Sequence, residues 1–246
     1  MRIRDRLEQD WLLATEVHKL EARLWRKSRN DGIKVILVTS AGRGEGKSTT
    51  VACLGAAFGV HPDRSVLAID LDLREPTLHT HFEITPEVTL GSVLKGERKV
   101  EEAIVPTDTP TLHLLLPDPG GEDPGLLFRT PRISEVFEHA RANYDLVLLD
   151  APALVPVADT AGLLPFVDGV VLMAMAGRTT RPQLSRAREI CLGMDARILG
   201  LIVGNLQEAI PDHDRSSYAY GYGYGYGHRK NGDHDGGDAK LPVIGP

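Results

Sequence analysis

The residues best suited to chemistry lie in one stretch, Ser40 to Thr50, which reads S-A-G-R-G-E-G-K-S-T-T. Gly42, Gly44 and Gly46 let a backbone turn sharply and bring its N–H groups close to phosphate oxygens. Lys47 can reach the outer phosphates, and the Ser48 hydroxyl is placed to hold Mg²⁺. The stretch follows the pattern G-x-x-x-x-G-K-[ST] with one departure, Ala41 at the first position. Two carboxylate motifs belong to the same chemistry. Asp70 and Asp72 stand in I-D-L-D-L-R-E-P at the end of an apolar run. Carboxylates two apart on a strand share a face and repel one another unless a cation intervenes, and Mg²⁺ is the natural ion. Asp150 ends the run Y-D-L-V-L-L-D, the shape of a strand whose terminal carboxylate acts on Mg²⁺ through water. An apolar run ending in Asp is common by itself; the three motifs in this order are specific.

These side chains need a scaffold that brings strand ends together. Val35 to Val38 is short and β-branched, as in a buried strand, and the small-residue stretch from Ser48 to Gly59 has helical spacing. The loop therefore lies between a strand and a helix, so the helix adds its positive dipole end to the phosphate position. Further strands are expected at 65–71, 111–116, 144–150, 170–176 and 198–203. Helices are expected at 131–143 and 182–192, with short ones near 90–95 and 100–103. This alternation predicts an α/β fold, a single domain with a doubly wound, mostly parallel sheet. In such a sheet ligands bind at the C-terminal strand edge, where Asp70 and Asp72 would lie. Residues 1–32 read as an N-terminal helical segment, with Leu7, Trp11, Ala14, Val17, Leu20 (or Glu21) and Leu24 on one stripe. The domain is expected over 33–210 and a flexible tail over 211–246.

Totals narrow the function. The chain has 246 residues and a net charge of −6, a balance that argues against general nucleic-acid binding. Cys53 and Cys191 both fall in apolar helical contexts and read as buried thiols of a reducing cytosol. No segment approaches the roughly 18 apolar residues of a membrane span, and no apolar stretch follows M-R-I-R-D-R to make a signal peptide. Any membrane role is expected to run through a partner.

The tail carries its own signal. Five of the six tyrosines, Tyr218, Tyr220, Tyr222, Tyr224 and Tyr226, alternate with small residues in S-S-Y-A-Y-G-Y-G-Y-G-Y-G. Interleaved glycine opposes helix and packed strand, and the polar, Gly/Asp-rich remainder has the composition of disorder. Mobile phenols beside a phosphate-binding domain are candidate acceptors for a phosphoryl group.

With these motifs the chain resembles the bacterial tyrosine kinases of capsule and exopolysaccharide assembly, over about residues 33–227. The family writes its loop P-G-E-G-K-[ST], where this chain has R-G-E-G-K-S with Arg43 in the proline's place. Its second motif, D-x-D-x-R-x-P, is met by Asp70, Asp72, Arg74 and Pro76. Its third, D-x-P-P, is Asp150, Ala151, Pro152 and Ala153 here, one proline short. The resemblance implies a P-loop NTPase domain that binds ATP through residues 42–49 (Gly42, Arg43, Gly44, Glu45, Gly46, Lys47, Ser48 and Thr49). It implies Mg²⁺ at Ser48, with Asp70 and Asp150 close by. Asp70 or Asp72 would help deprotonate an incoming tyrosine, and Asn205 would contact adenine, by similarity to the wider group of related ATPases. Lys47, Asp70, Asp72 and Asp150 are then the catalytic set. The implied activity is phosphorylation of the chain's own tail tyrosines, between subunits of a homo-oligomer. The implied partner is the cytoplasmic end of a transmembrane polysaccharide co-polymerase that activates the kinase. The chain would then lie in the cytoplasm, at the inner face of the plasma membrane. The family's Glu/Arg-rich N-terminal motif for subunit contacts is matched in kind but not in spacing by Glu16, Glu21, Arg23 and Arg26.

Two other readings remain open at the level of sequence. One is a nucleotide switch like the partitioning and septum-positioning ATPases, which typically carry a second lysine in the loop where this chain has Gly42. The other is a non-catalytic assembly scaffold, suggested by the departures at Arg43 and Ala153.

Overall fold

The computed structural model describes residues 1–205 except Glu122, Arg129 and Val157. The tail tyrosines Tyr218 to Tyr226 fall in a second unit, Gln207–Pro246, outside the described residues.

The strands are β1 (Val35–Ser40), β2 (Val66–Asp70), β3 (Ile104–Pro106), β4 (Leu112–Leu115), β5 (Leu146–Asp150), β6 (Gly169–Met175) and β7 (Ile198–Gly204). They form one sheet in the order β3-β4-β2-β5-β1-β6-β7, parallel throughout except for β3 against β4. The short antiparallel β3 is the one strand the sequence reading lacks. Its three residues sit between a one-turn helix and a turn, too few to show a period.

The longer helices are α1 (Ile3–Gln9), α2 (Trp11–Asp31), α3 (Lys47–Gly59), α8 (Arg132–Asn143) and α10 (Arg181–Gly193). One-turn helices α4 (Leu78–Phe82), α5 (Leu90–Leu94), α6 (Val100–Ala103), α7 (Pro124–Leu127) and α9 (Ala158–Ala161) fill the connections.

Because helices cover both faces, the inner strands are apolar on both sides rather than alternating. Every residue of β1, β2 and β5 is buried. Val35 and Leu37 face the core layer that contains α8 and α10. Ile36 and Val38 face the opposite layer, which contains α1, α2 and α3. The helices that follow β1 and β6, neighbours in the sheet, thus lie on opposite faces. That divergence opens a crevice at the C-terminal strand ends.

The N-terminal segment is two helices, not one. Asp10 leaves helical geometry and its carboxylate accepts from the Leu13 N–H at 3.0 Å, an N-cap that starts α2 afresh. The break also rotates the stripe: Trp11 is 71% exposed, while Ile3, Val17, Glu21 and Leu24 are buried. Glu21 is held by Arg64 and faces the layer beneath it. Cys53 and Cys191 are both buried free thiols, and desolvation pushes Cys53 up to about 11. Among the described residues no helix is long and apolar enough to cross a membrane.

Candidate nucleotide site

The loop between β1 and α3 folds as its glycines allow. Gly44 (φ +67°) and Gly46 (φ +87°) are left-handed, a backbone that side-chain-bearing residues rarely adopt, and Gly46 is the N-cap of α3. Lys47 and Ser48 follow directly in the first turn of α3, and Lys47 is largely buried. A cleft of about 430 Å³ opens above the loop. Arg43, Gly44, Gly46, Lys47, Ser48 and Thr49 line one wall. Asp72, Arg74, Glu75 and Thr77 line the facing wall, with Pro152 and Ala153 between. The three motifs, about 25 and 80 residues apart along the chain, therefore converge on one cavity, as parallel strand ends require.

The carboxylates are arranged differently from the sequence expectation. β2 ends at Asp70, so Asp72 lies beyond the strand and does not pair with Asp70 across a shared face. The backbone turns because Asp70 accepts from the N–H groups of Asp72 at 3.0 Å and Leu78 at 3.1 Å. The carboxylate partner of Asp70 is instead Asp150, directly opposite in the β2–β5 register. Both are fully buried, at 0% exposure.

Burial raises the Asp70 carboxyl well above its usual range, and the neighbouring Asp150 raises it further. Burial also pushes Asp150 up to about 7, against the opposing influence of the Ser48 hydroxyl and Lys47. Among the described residues, neither oxygen of Asp150 has a hydrogen-bond partner at the distances of a formed bond. A buried carboxylate with no donor is costly unless a cation or its water meets it. Mg²⁺ with its water shell fits this position, next to the Ser48 hydroxyl. Among the described residues no group of three or more His, Cys, Asp or Glu side chains forms a complete metal cage. An ion here would draw on phosphate oxygens and water, as Mg²⁺ does in nucleotide sites.

The other expected residues divide. Asp72 lines the cleft and is part-exposed; burial raises its carboxyl, opposed by the Glu75 N–H and by Lys47 and Arg43. Glu45 turns away from the cleft. Its carboxylate is 2% exposed and accepts from the Gly42 N–H at 2.9 Å and from the Thr179 hydroxyl, bracing the loop from within. Asn205 follows β7 in left-handed geometry (φ +59°), at the same sheet edge but two strands from β1 and outside the cleft lining.

Three residues near the loop escaped the sequence reading. Thr77 donates to the Ser48 hydroxyl oxygen at 2.8 Å, and its place one residue after Pro76 was the available signal. Thr179 and Arg178 reach the loop from the β6–α10 turn, a proximity that only the β1–β6 pairing creates.

No protein-family model matches the chain. Curated proteins do. The tyrosine-protein kinase YwqD of Bacillus subtilis (strain 168) is 33% identical over 206 residues, covering 80% of this chain and 86% of its own length. The chain belongs to the bacterial tyrosine kinase family. Another relative is the succinoglycan biosynthesis transport protein ExoP of Rhizobium meliloti (strain 1021), 32% identical over 150 residues, which span 59% of this chain and 19% of ExoP. Among solved structures, the kinase domain of Escherichia coli tyrosine kinase ETK superposes with a TM-score of 0.65 at 26% identity, covering 69% of this chain and 66% of that one. The septum site-determining protein MinD of Pyrococcus horikoshii OT3, complexed with Mg-ADP, gives 0.60 at 25% identity, covering 75% and 76%.

Both departures from the tyrosine-kinase motifs are absorbed locally. Arg43, in the proline's place, pairs with Glu75 at 2.7 Å across the cleft mouth, and both side chains are exposed. Ala153, in place of the second proline, is buried. Its loop is pinned without that proline. The Pro152 carbonyl accepts from the hydroxyls of Thr39 (2.8 Å) and Thr160 (3.2 Å), and the Leu154 N–H reaches the Ser40 carbonyl at 2.9 Å.

Proposed function

We propose that the chain is an ATP-dependent protein-tyrosine kinase that phosphorylates the tyrosine cluster of its own C-terminal tail, between subunits, and thereby regulates exopolysaccharide or capsule polymerisation and export. The observation that carries this reading is the buried Asp70–Asp150 pair at one sheet edge, with Asp150 undonated among the described residues and near Ser48 and Lys47. The names of the relatives YwqD and ExoP support the kinase activity and the polysaccharide role respectively.

Each side chain has a role in this reading. The loop N–H groups and the start of α3 bind the phosphates, and Lys47 neutralises charge on the outer ones. Ser48, Asp70 and Asp150 would hold Mg²⁺, which would supply charge neutralisation for the phosphates. A tyrosine phenol has a pKa near 10, so it needs help to lose its proton. Asp72 is the carboxylate able to give that help, since it faces the cleft, whereas the oxygens of Asp70 are committed to backbone N–H groups. Asn205 contacts the base end of the nucleotide. Transfer to phosphate has a loose transition state, so positioning and charge do most of the work.

The domain plan of this reading is a helical segment at 1–32, a kinase domain at 33–210 and a tail at 211–246 that presents Tyr218, Tyr220, Tyr222, Tyr224 and Tyr226. Its partner is the cytoplasmic end of a transmembrane polysaccharide co-polymerase, which holds a homo-oligomer of this chain at the inner membrane face. Each phosphate adds nearly two negative charges, and several on one tail repel each other and an acidic protein. Phosphorylation therefore loosens the assembly.

The likeness to MinD favours one rival, a nucleotide switch without tyrosine transfer. Incubation of the purified full chain with Mg·ATP, followed by mass spectrometry, separates the two. Phosphate on Tyr218 to Tyr226 that disappears in Lys47→Met is the expected result. An unmodified tail with ATP hydrolysis stimulated by DNA or lipid overturns the kinase reading. Tail phosphate that survives in Lys47→Met overturns the site.

A further inference from the structure

The β6–α10 turn reaches the phosphate loop from the side opposite β5, because β6 is the other neighbour of β1. Two of its side chains grip the loop. The Arg178 Nη1 donates to the Gly44 carbonyl at 3.0 Å. The Thr179 hydroxyl donates to the Glu45 carboxylate while its oxygen accepts from the Met175 N–H at 2.7 Å. Arg178 is exposed and is not part of the cleft lining, so it meets the loop from outside. A Cβ at Gly44 would lie 3.0 Å from Nη1, a tight contact that the guanidinium would relieve by shifting a few tenths of an ångström.

In a trans peptide the carbonyl oxygen and the next residue's N–H point in opposite directions. Pinning the Gly44 oxygen from the Arg178 side therefore points the Glu45 backbone N–H away from Arg178, even though the Glu45 side chain is turned inward to Gly42 and Thr179. Reversing that peptide would rotate ψ of Gly44 and φ of Glu45 together, and the Arg178 bond to the Gly44 carbonyl would be lost in that reversal. The neighbouring Gly42 N–H is already committed to the Glu45 carboxylate. The cradle thus depends on the 44–45 peptide for one of its donors.

We propose that Arg178 is a positioning residue for the phosphate cradle: it holds the Gly44–Glu45 peptide in the orientation that offers the Glu45 N–H to a nucleotide phosphate. The inference rests on the nucleotide-site reading above. It makes Arg178 act through the backbone and not by touching the terminal phosphate. The donor that it orients serves ADP and ATP alike, since loop N–H groups at this position cradle the inner phosphates.

The test is the affinity of the full chain for Mg·ADP and for a non-hydrolysable Mg·ATP analogue, by calorimetry, in the wild type, Arg178→Met and Arg178→Lys. Arg178→Met is expected to weaken both nucleotides equally, by about tenfold, the worth of one hydrogen bond to a charged group. Arg178→Lys, which keeps a donor on a long stem, is expected to recover most of that loss. In turnover, KM for ATP should rise with little fall in kcat. The exposed position means that the melting temperature should not move. Wild-type affinity for both nucleotides in Arg178→Met overturns the inference. So does a loss confined to the ATP analogue, which would make Arg178 a terminal-phosphate contact. A wild-type chain that binds neither nucleotide overturns the underlying site reading instead, and the two failures are thereby distinct.

Discussion

Asp150→Asn should stabilise the nucleotide-free protein at neutral pH while abolishing its phosphoryl transfer. The carboxyl sits fully buried with no donor among the described residues, and burial holds its pKa at about 7 against an ordinary 3.8. Because the folded value lies above the unfolded one, ionisation opposes folding. Stability is lost as pH rises from about 4 to about 7, and the penalty stays constant above that. About three pKa units at ~1.36 kcal/mol each set a ceiling of about 4 kcal/mol at pH 8. The amide that replaces the carboxyl is itself undonated, which takes back about 1–3 kcal/mol. The net gain is about 1–3 kcal/mol, or roughly 3–10 °C in Tm for a domain of this size. The assay is thermal unfolding at pH 4.5 and pH 8, with magnesium and nucleotide removed by chelation and gel filtration. The advantage of the variant should be present at pH 8 and small or reversed at pH 4.5, where the wild-type carboxyl is still protonated in the fold. Mg·ADP should then raise the wild-type Tm more than the variant's, because only the wild type has a buried charge to be met. A variant no more stable than wild type at pH 8 without ligand would refute the claim that this edge stores an unmet negative charge.

Other substitutions separate structural from catalytic charges. Glu21→Ala should cost about 2–4 kcal/mol in urea unfolding, since it strands Arg64, whose guanidinium also lies 4.1 Å over the Trp25 ring. Nucleotide affinity should be unchanged. Asp168→Asn should cost about 2 kcal/mol, because Asp168 accepts from the N–H groups of Lys34 (2.8 Å) and Val35 (2.7 Å) and from Arg141. Burial raises the Asp168 carboxyl, but Arg141 and the two N–H groups outweigh it and hold its pKa below 3.8. Its contribution is therefore complete above about pH 4 and is lost as pH falls through the depressed folded value, so wild type and variant should converge in acid unfolding curves. Arg43→Ala, by contrast, should move stability by less than about 1 kcal/mol, since the Arg43–Glu75 pair is exposed on both sides. Any larger effect on KM for ATP would then report on the cleft and not on the fold.

Much of the architecture was legible because its elements are apolar on both faces and their ends carry motif residues. The β1 run, the helix after the loop, and the strands ending at Asp70 and Asp150 all stand where periodicity and composition put them. What escaped was set by contacts between segments distant in sequence. The break at Asp10 depends on one side-chain cap, and the exposure of Trp11 follows from it. β3 exists because β4 offers a free edge, not because Ile104–Pro106 has a pattern of its own. The inward turn of Glu45 needs Thr179, 134 residues away, as its donor.

The carboxylates show how far spacing can mislead. Two aspartates in D-x-D look like a pair because a strand's period is two. The strand stops at the first of them, and the sheet then chooses the pair: β2 lies beside β5, so Asp70 meets Asp150 and not Asp72. That exchange divides the chemistry between two places. The buried pair makes a carboxylate position that fits a metal ion, and Asp72 is left at the cleft wall. A single strand carrying both aspartates on one face would have forced one site to do both jobs. Separating them leaves Asp70 and Asp150 buried at the sheet edge while Asp72 lines the open cleft, so one strand end need not serve both positions.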